Sequence, residues 1–214
     1  TRFLSNPIDG VAYNFVAVNA NTVTKSNGTF DFSNVCIKQG ESLSSRFTVD
    51  STNIERRYTI DTDSVDTSTI RVLVQESEAN TDTTAYTLAD DITLLDANST
   101  VYWVEENSLK SGNYTVYFGD GLIGKNLDDG NVVLCNYIVT QGERGNKASR
   151  FSAIAGFSGF SANIAVTTSE VATSGSEKEN LENIRFRAPI HYTAQNRAVN
   201  TSDYEILLLR DYPN

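Results

Sequence analysis

Apolar and polar residues alternate with a period of two along most of the first 175 residues. Val11, Tyr13, Phe15 and Ala17 share one side of a run. Phe47 and Val49, then Tyr58 and Ile60, mark two more. Ile70, Val72 and Val74 share one face of another, and Val101 and Trp103 one face of the next. Val132 to Thr140 reads as a longer strand, Phe151, Ala153, Ala155 and Phe157 alternate again, and Ile164-Ala165-Val166 closes the series. Such alternation is the signature of strands with one buried face. Turn residues recur at short intervals, as at Ser26-Asn27-Gly28 before Phe30 and Phe32. This spacing favours antiparallel sheets packed as sandwiches over βαβ units, and the wealth of Thr, Val, Tyr and Phe agrees. The expected fold is mainly β, with antiparallel β-sandwich-like sheets and a short two-helix C-terminal segment.

The period changes near Thr173-Ser174-Gly175. Ser176-Glu177-Lys178-Glu179 has the form of a capping box. Leu181, Ile184 and Ala188 follow at helical spacing on one face, and Pro189 predicts a stop near Ala188. A second box, Ser202-x-x-Glu205, opens a helix through Ile206 to Leu209. Two regions result. Residues 1–175 are β-rich, with room for two sub-domains and an inserted β module at about 46–112. Residues 176–214 are helical, and their abrupt end at Tyr212-Pro213-Asn214 suggests an interior piece of a longer polypeptide.

Gly119-x-Gly121-x-x-Gly124 matches the spacing of a dinucleotide-binding loop. That chemistry needs a helix opening at the last glycine, so that its N-terminus meets the pyrophosphate. Lys125-Asn126-Leu127-Asp128-Asp129-Gly130 carries turn chemistry instead. Asp120-Gly121 is a two-residue hairpin signal and Asp129-Gly130 a second. The expectation is strand, tight turn, short strand, turn, strand, with no cofactor.

Charge narrows the partners. The formal net charge is −10, which argues against nucleic acid and against an anionic membrane surface. No apolar run reaches the roughly 20 residues of a membrane span. Cys36 and Cys135 lie in apolar runs and read as buried free thiols, although a bond between them stays open. The sequons at Asn27, Asn98, Asn113 and Asn200 are what a chain rich in Asn, Ser and Thr produces by chance.

Catalytic constellations are thin. His191 is the sole histidine, and its neighbourhood offers no carboxylate to orient it. One His and two distant Cys do not make a zinc site. Asp61-x-Asp63-x-x-Asp66 begins like a calcium loop, but Val65 replaces a ligand and the closing Glu is missing. A polar turn is the simpler reading. Acidic residues are plentiful, yet nothing singles out a hydrolytic pair. Two surface features remain. Residues 184–200 carry Arg185, Arg187 and Arg197, with Tyr192, and no acid. They serve either helix-end carbonyls or an acidic surface of another subunit. Trp103-Val104-Glu105-Glu106-Asn107 sets an aromatic beside carboxylates and an amide, as a glycan-binding module would, though a Trp at a strand end also suits a core.

Residues 179–205, ENLENIRFRAPIHYTAQNRAVNTSDYE, resemble the baseplate J-like family of tailed phages and related contractile injection machines. The resemblance rests on Glu179 and Glu182, Arg185 to Pro189, Arg197-Ala198-Val199 and Asp203-Tyr204-Glu205; Asn200 stands where the family usually has Thr. Residues 116–146 are similar to its Phe-Gly-Asp-Gly hairpin, Tyr strand and Gly-x-x-Gly-Asn turn. The amino-terminal 110 residues add nothing specific.

This resemblance implies a non-enzymatic structural subunit of a phage tail baseplate wedge. It would join neighbouring wedges into a ring around the tail tube and rearrange on sheath contraction. It further implies a homo-oligomer that contacts other wedge and tail proteins, located in the virion and assembled in the host cytoplasm. By position, Gly119, Asp120 and Gly121 would fix a hairpin turn, and Arg185, Arg187, Pro189 and Arg197 would shape the tail or its contacts. The alternatives are a glycan- or receptor-binding β module of a virion, and then a polysaccharide hydrolase.

Overall fold

The computed structural model describes residues 1–107, 112–154, 164–194 and 197–211. They form two sheets and two helices. The smaller sheet has four strands in the order β11-β1-β2-β3: β1 is Arg2–Ser5, β2 Asn14–Ala17, β3 Ile37–Gln39 and β11 Phe151–Ala153. The larger has seven: β4 Glu41–Thr48, β5 Arg57–Ile60, β6 Val65–Gln75, β7 Thr83–Leu88, β8 Val101–Glu106, β9 Tyr114–Phe118 and β10 Val132–Val139. Their order is β4-β10-β6-β7-β8-β9-β5. The chain therefore leaves the small sheet after β3, builds the whole large sheet, and returns at β11. The segment 46–112 begins inside β4 and stops short of β9 and β10.

The large sheet folds on itself at β7. The first half of that strand pairs with β6 and its end pairs with β8. The β7–β8 ladder is parallel, which corrects the expectation of purely antiparallel sheets. The link from Ala89 to Thr100, with its 3₁₀ turn Ile92–Leu94, brings Val101 back opposite Thr87, near the end of β7. The two halves face each other across one core. Val72, Val74, Val133, Cys135 and Tyr137 meet Tyr58, Ile60, Tyr102, Val116 and Phe118. Aromatic rings bridge the gap, with Phe47–Tyr58 centroids at 5.2 Å and Tyr86–Phe118 at 5.6 Å. Burial of this apolar surface, at about 25 cal/mol per Å², is the main stabilising term. Tyr102 is buried with its hydroxyl donating to the Ile70 carbonyl at 2.9 Å, so its polar end is satisfied.

The β6–β10 register slips between Asn136 and Ile138. Thr69 repairs the slip: its hydroxyl oxygen accepts the Ile138 N–H at 3.0 Å and its proton goes to the Asp66 carbonyl at 2.7 Å. The small sheet lies beside this point. Lys38 of β3 reaches Asp66 at 2.7 Å, and Arg71 of β6 reaches Asn19 at 2.8 Å. The small sheet has its own core of Phe3, Phe15 and Ala148, with Phe151 edge-on to Phe15 at 4.8 Å.

Several strand expectations fail locally. Phe30 and Phe32 follow the Asn27-Gly28 turn but form no strand, and both are exposed. Ile164 to Val166 form no strand. Ala155 and Phe157 lie outside the described residues. Cys36 is exposed rather than buried, and neither cysteine is bonded.

Candidate interaction surfaces

The segment that leads to the helices is strapped to the β body. The Lys147 N–H donates to the Ala172 carbonyl at 2.7 Å, and the Ala172 N–H donates to that of Ala148 at 2.8 Å. Asn146 then grips Gly175 twice. Its Nδ2 donates to the Gly175 carbonyl at 2.8 Å and its Oδ1 accepts the Gly175 N–H at 2.9 Å. One side chain thus imitates a neighbouring strand. Lys178 Nζ bonds Glu106 Oε1 at 2.5 Å, tying the strap to the end of β8. The Gly142-x-x-Gly145-Asn146 turn is therefore the anchor of the carboxyl-terminal segment.

Beyond the strap lie α1, Leu181–Ala194, and α2, Thr201–Asp211. The caps differ from those expected. Asn180 caps α1, accepting the Asn183 N–H at 2.8 Å. Ser176 does not close its box, because residues 176–180 precede the helix, and Glu179 pairs with Arg187 at 3.0 Å instead. Asn200 and Asp203 cap α2 reciprocally. The Asp203 N–H donates to Asn200 Oδ1 at 2.9 Å, and Asp203 Oδ2 accepts the Val199 and Asn200 N–H groups at 3.0 and 3.1 Å. Those backbone bonds hold the Asp203 carboxyl below the ordinary aspartate range. Ser202 falls inside the first turn of the helix. Pro189 does not stop α1, which continues to Ala194. A proline's fixed φ suits a helix, and the helix survives the loss of one backbone donor.

Leu181 and Ile184 do not point into a core. Leu181 is 60% exposed and Phe186 74% exposed, and Ile184 and Tyr192 are exposed as well. Apolar positions are spread around α1, so no stripe exists to seat on the body. Arg185 is exposed with no ion pair among the described residues, Arg187 is held by Glu179, and Arg197 is exposed just before α2. The structure thus places Arg185, Arg187 and Tyr192 on one helix, with Arg185 and Tyr192 exposed and Arg187 half-buried.

The glycine motif makes a different object from a hairpin. Residues 119–131 form a loop, without the expected short strand and without a helix behind Gly124. Asp120 Oδ1 accepts the Leu122 and Ile123 N–H groups at 2.9 and 3.1 Å, which lowers its pKa and closes the turn. Gly121 follows at φ +88°. The backbone then crosses itself: a Cβ on Gly119 would lie 2.2 Å from the Gly124 carbonyl oxygen. The Gly124 N–H donates to the Asp96 carbonyl at 2.8 Å. This bond sets Leu122 and Ile123 beside the loop that carries Ile92 and Leu94. All four are exposed, Leu94 by 81% and Leu122 by 78%.

Next to this ledge a row of side chains crosses the outer face of three strands. Arg57, Tyr117 and Trp103 occupy directly opposed positions on β5, β9 and β8. Trp103 stacks on Tyr117 with centroids at 5.6 Å and planes at 14°. The Arg57 guanidinium sits 4.6 Å from the Tyr117 ring centre and pairs with Glu105. Trp103 is therefore half-buried on the outer face, not in the core.

The remaining candidate residues disperse. Asp61 accepts from Asn113, while Asp66 pairs with Lys38 and Ser68, so the Asp61-Asp63-Asp66 run does not converge. Among the described residues no group of three His, Cys, Asp or Glu could hold a metal. His191 lies in α1, and its side chain is outside the described residues. Sequence reading missed the ledge, because exposed Leu and Ile in loops look the same as buried ones in a sequence. It missed the strap because Asn146 acts across 29 residues. No family model matches the chain, and no curated protein matches it.

Proposed function

We propose that the chain is a structural, non-enzymatic subunit of a phage tail baseplate wedge, acting in the virion as one of several copies joined around the tail tube. One observation carries this reading: α1 is capped, its leading segment is bonded to the β body, and Leu181, Ile184, Phe186 and Tyr192 stay exposed on it. A helix of 14 residues that buries none of its described side chains is marginal in water by itself. Its exposed Leu181, Phe186 and Tyr192 suit a subunit that completes its packing on assembly. The resemblance of residues 179–205 and 116–146 to the baseplate J-like family supports the same reading, and Asn146 at the end of the second stretch bonds Gly175, just ahead of the first. Reversing charge with Arg185→Glu and Arg187→Glu should block incorporation into contractile-tail particles, seen as lost baseplate density by electron microscopy. Normal particles containing the double variant would refute it.

A second reading draws on the Arg57–Tyr117–Trp103 row. A half-exposed stacked Trp beside Glu105 and Asn107 is the surface a glycan- or receptor-binding module presents. Trp103→Ala should abolish signals on a glycan array under this reading, and an array blank for the unaltered chain would dispose of it.

A further inference from the structure

A strand at the edge of a sheet offers one side of its backbone to any strand that arrives. The edge strands β3, β11 and β5 are short, with three, three and four residues. The edge strand β4 has eight. Its ladder with β10 is unbroken from Glu41↔Val139 to Thr48↔Val132. Its sequence, Glu41-Ser42-Leu43-Ser44-Ser45-Arg46-Phe47-Thr48, has no Pro, no Lys and no bulge to turn a newcomer away. The ladder also fixes the phase of its outward groups. The Val49 N–H donates to the Asn131 carbonyl at 2.9 Å, while on β10 the Ile138 N–H turns the other way, to Thr69 of β6. Antiparallel bonding alternates along a strand, so Glu41, Leu43, Ser45 and Phe47 direct their backbone groups to β10. Those of Ser42, Ser44, Arg46 and Thr48 point outward, and nothing among the described residues bonds them. All four residues are exposed. Leu43 and Phe47 share the core side of the strand, Phe47 beside Tyr58 and Leu43 at the rim, 39% exposed.

We infer that β4 pairs antiparallel with β4 of a second copy, about a two-fold axis at Ser45. Bonding requires an outward residue opposite an outward residue. Ser42 opposite Thr48 and Ser44 opposite Arg46 of the second copy engage every outward residue of both strands, each pair exchanging both N–H···O bonds. A slide of two residues either way leaves outward groups without a partner. The same register sets Leu43 against Phe47 on both sides of the axis, so the apolar rims of the two cores meet. It sets Ser45 against its own copy, where a small side chain suits the close approach of a non-hydrogen-bonded pair. Arg46 brings no unpaired charge, because Glu78 holds it at 3.1 Å. A second copy is the fitting occupant, since one sequence supplies both halves of every pair. The contact is isologous and closes the edge. It rests on the assembly reading above and names one surface that joins copies.

Two substitutions at Ser44 and one cross-link test this on the 214-residue chain. Ser44→Pro deletes an outward N–H, a change that edge strands tolerate. Ser44→Lys sets an ammonium against Arg46 of the second copy, on both sides of the axis. Ser44 is exposed, and unchanged thermal unfolding verifies each fold; Ser44→Lys alone decides if the proline disrupts the strand. In sedimentation velocity over a concentration series, the unaltered chain should dimerise, and each variant should bind at least about tenfold more weakly. Cys36→Ser removes the exposed thiol. In that background Ser45→Cys should form a disulfide-linked dimer under mild oxidation, because the Cα atoms of such a pair lie about 4.5 Å apart. Ser44→Cys in the same background should stay largely unlinked. An unaltered chain that is monomeric throughout the series overturns the inference, and so do Ser44 variants that dimerise like it. A disulfide at Ser44→Cys in place of Ser45→Cys overturns the register. None of these results involves Arg185 or Arg187, so the assembly reading is judged separately on particles.

Discussion

A methyl group at Gly119 has nowhere to go, because the loop's own backbone already occupies the place at Gly124. Gly119→Ala should lower stability by about 1–3 kcal/mol, the usual range for forcing extra volume into a packed site. Urea unfolding measures it, and a neutral result would mean that the loop crosses elsewhere. The two cysteines give a second test at this scale. Burial pushes the Cys135 thiol up to about 12, while Cys36 lies on the surface. A thiol reagent at neutral pH should modify Cys36 alone in the folded protein and both residues in denaturant, as counted by mass spectrometry. Residues of this kind show how far the sequence could be read. The turn character of Asp120-Gly121 was visible in its types, since Asp accepts from amides just ahead of it and Gly takes positive φ. That Gly119 and Gly124 touch was not visible, because it depends on the Asp96 carbonyl. Cys36 looked buried from its apolar neighbours, but it lies just before the start of β3, outside the ladder, and is exposed.

At the scale of elements, strands were easier to read than their partners. The alternation at Ile70, Val72 and Val74 and at Val132 to Thr140 located β6 and β10, since each buries one face. The parallel β7–β8 pair was hidden, because strand direction is a property of the connection and not of local pattern. Helix ends were misplaced for a related reason. Ser176 and Glu179 have the right spacing for a box, but Arg187, eight residues on, takes the glutamate. The strap is the element most open to test. Asn146→Ala removes both bonds to Gly175, each worth about 0.5–1.5 kcal/mol. Limited proteolysis should then cut residues 172–180 faster while the β body stays intact. An unchanged cleavage rate would show that the Ala172 bonds suffice without the clamp.

The whole molecule consists of two sheets held at a few points, and Lys38–Asp66 is one of them. Burial opposes the charge on Asp66, but hydrogen bonds from Lys38 and Ser68 outweigh it and hold the carboxyl below the ordinary aspartate value. A carboxyl depressed in this way binds fewer protons folded than unfolded. Its contribution is complete above the unfolded value of about 3.9 and is lost as pH falls through the lower folded value. Asp66→Asn should flatten the acid limb of the stability–pH curve and leave its shape near neutrality unchanged. Thermal midpoints across that limb measure this, and an identical acid limb would remove Asp66 from the junction.

Fold class was legible from the sequence, because half-buried strands declare themselves by period. The exposure of α1 was not, since Leu181 and Ile184 at helical spacing predict a buried stripe whether or not anything is there to bury it. Whether α1 finds its partner outside its own chain is decided most directly by amide hydrogen exchange over residues 181–194. In dilute solution these amides should exchange far faster than those of β10, and they should become protected once the chain is concentrated or assembled. Protection equal to β10 in the dilute monomer, unchanged on assembly, would contradict the account.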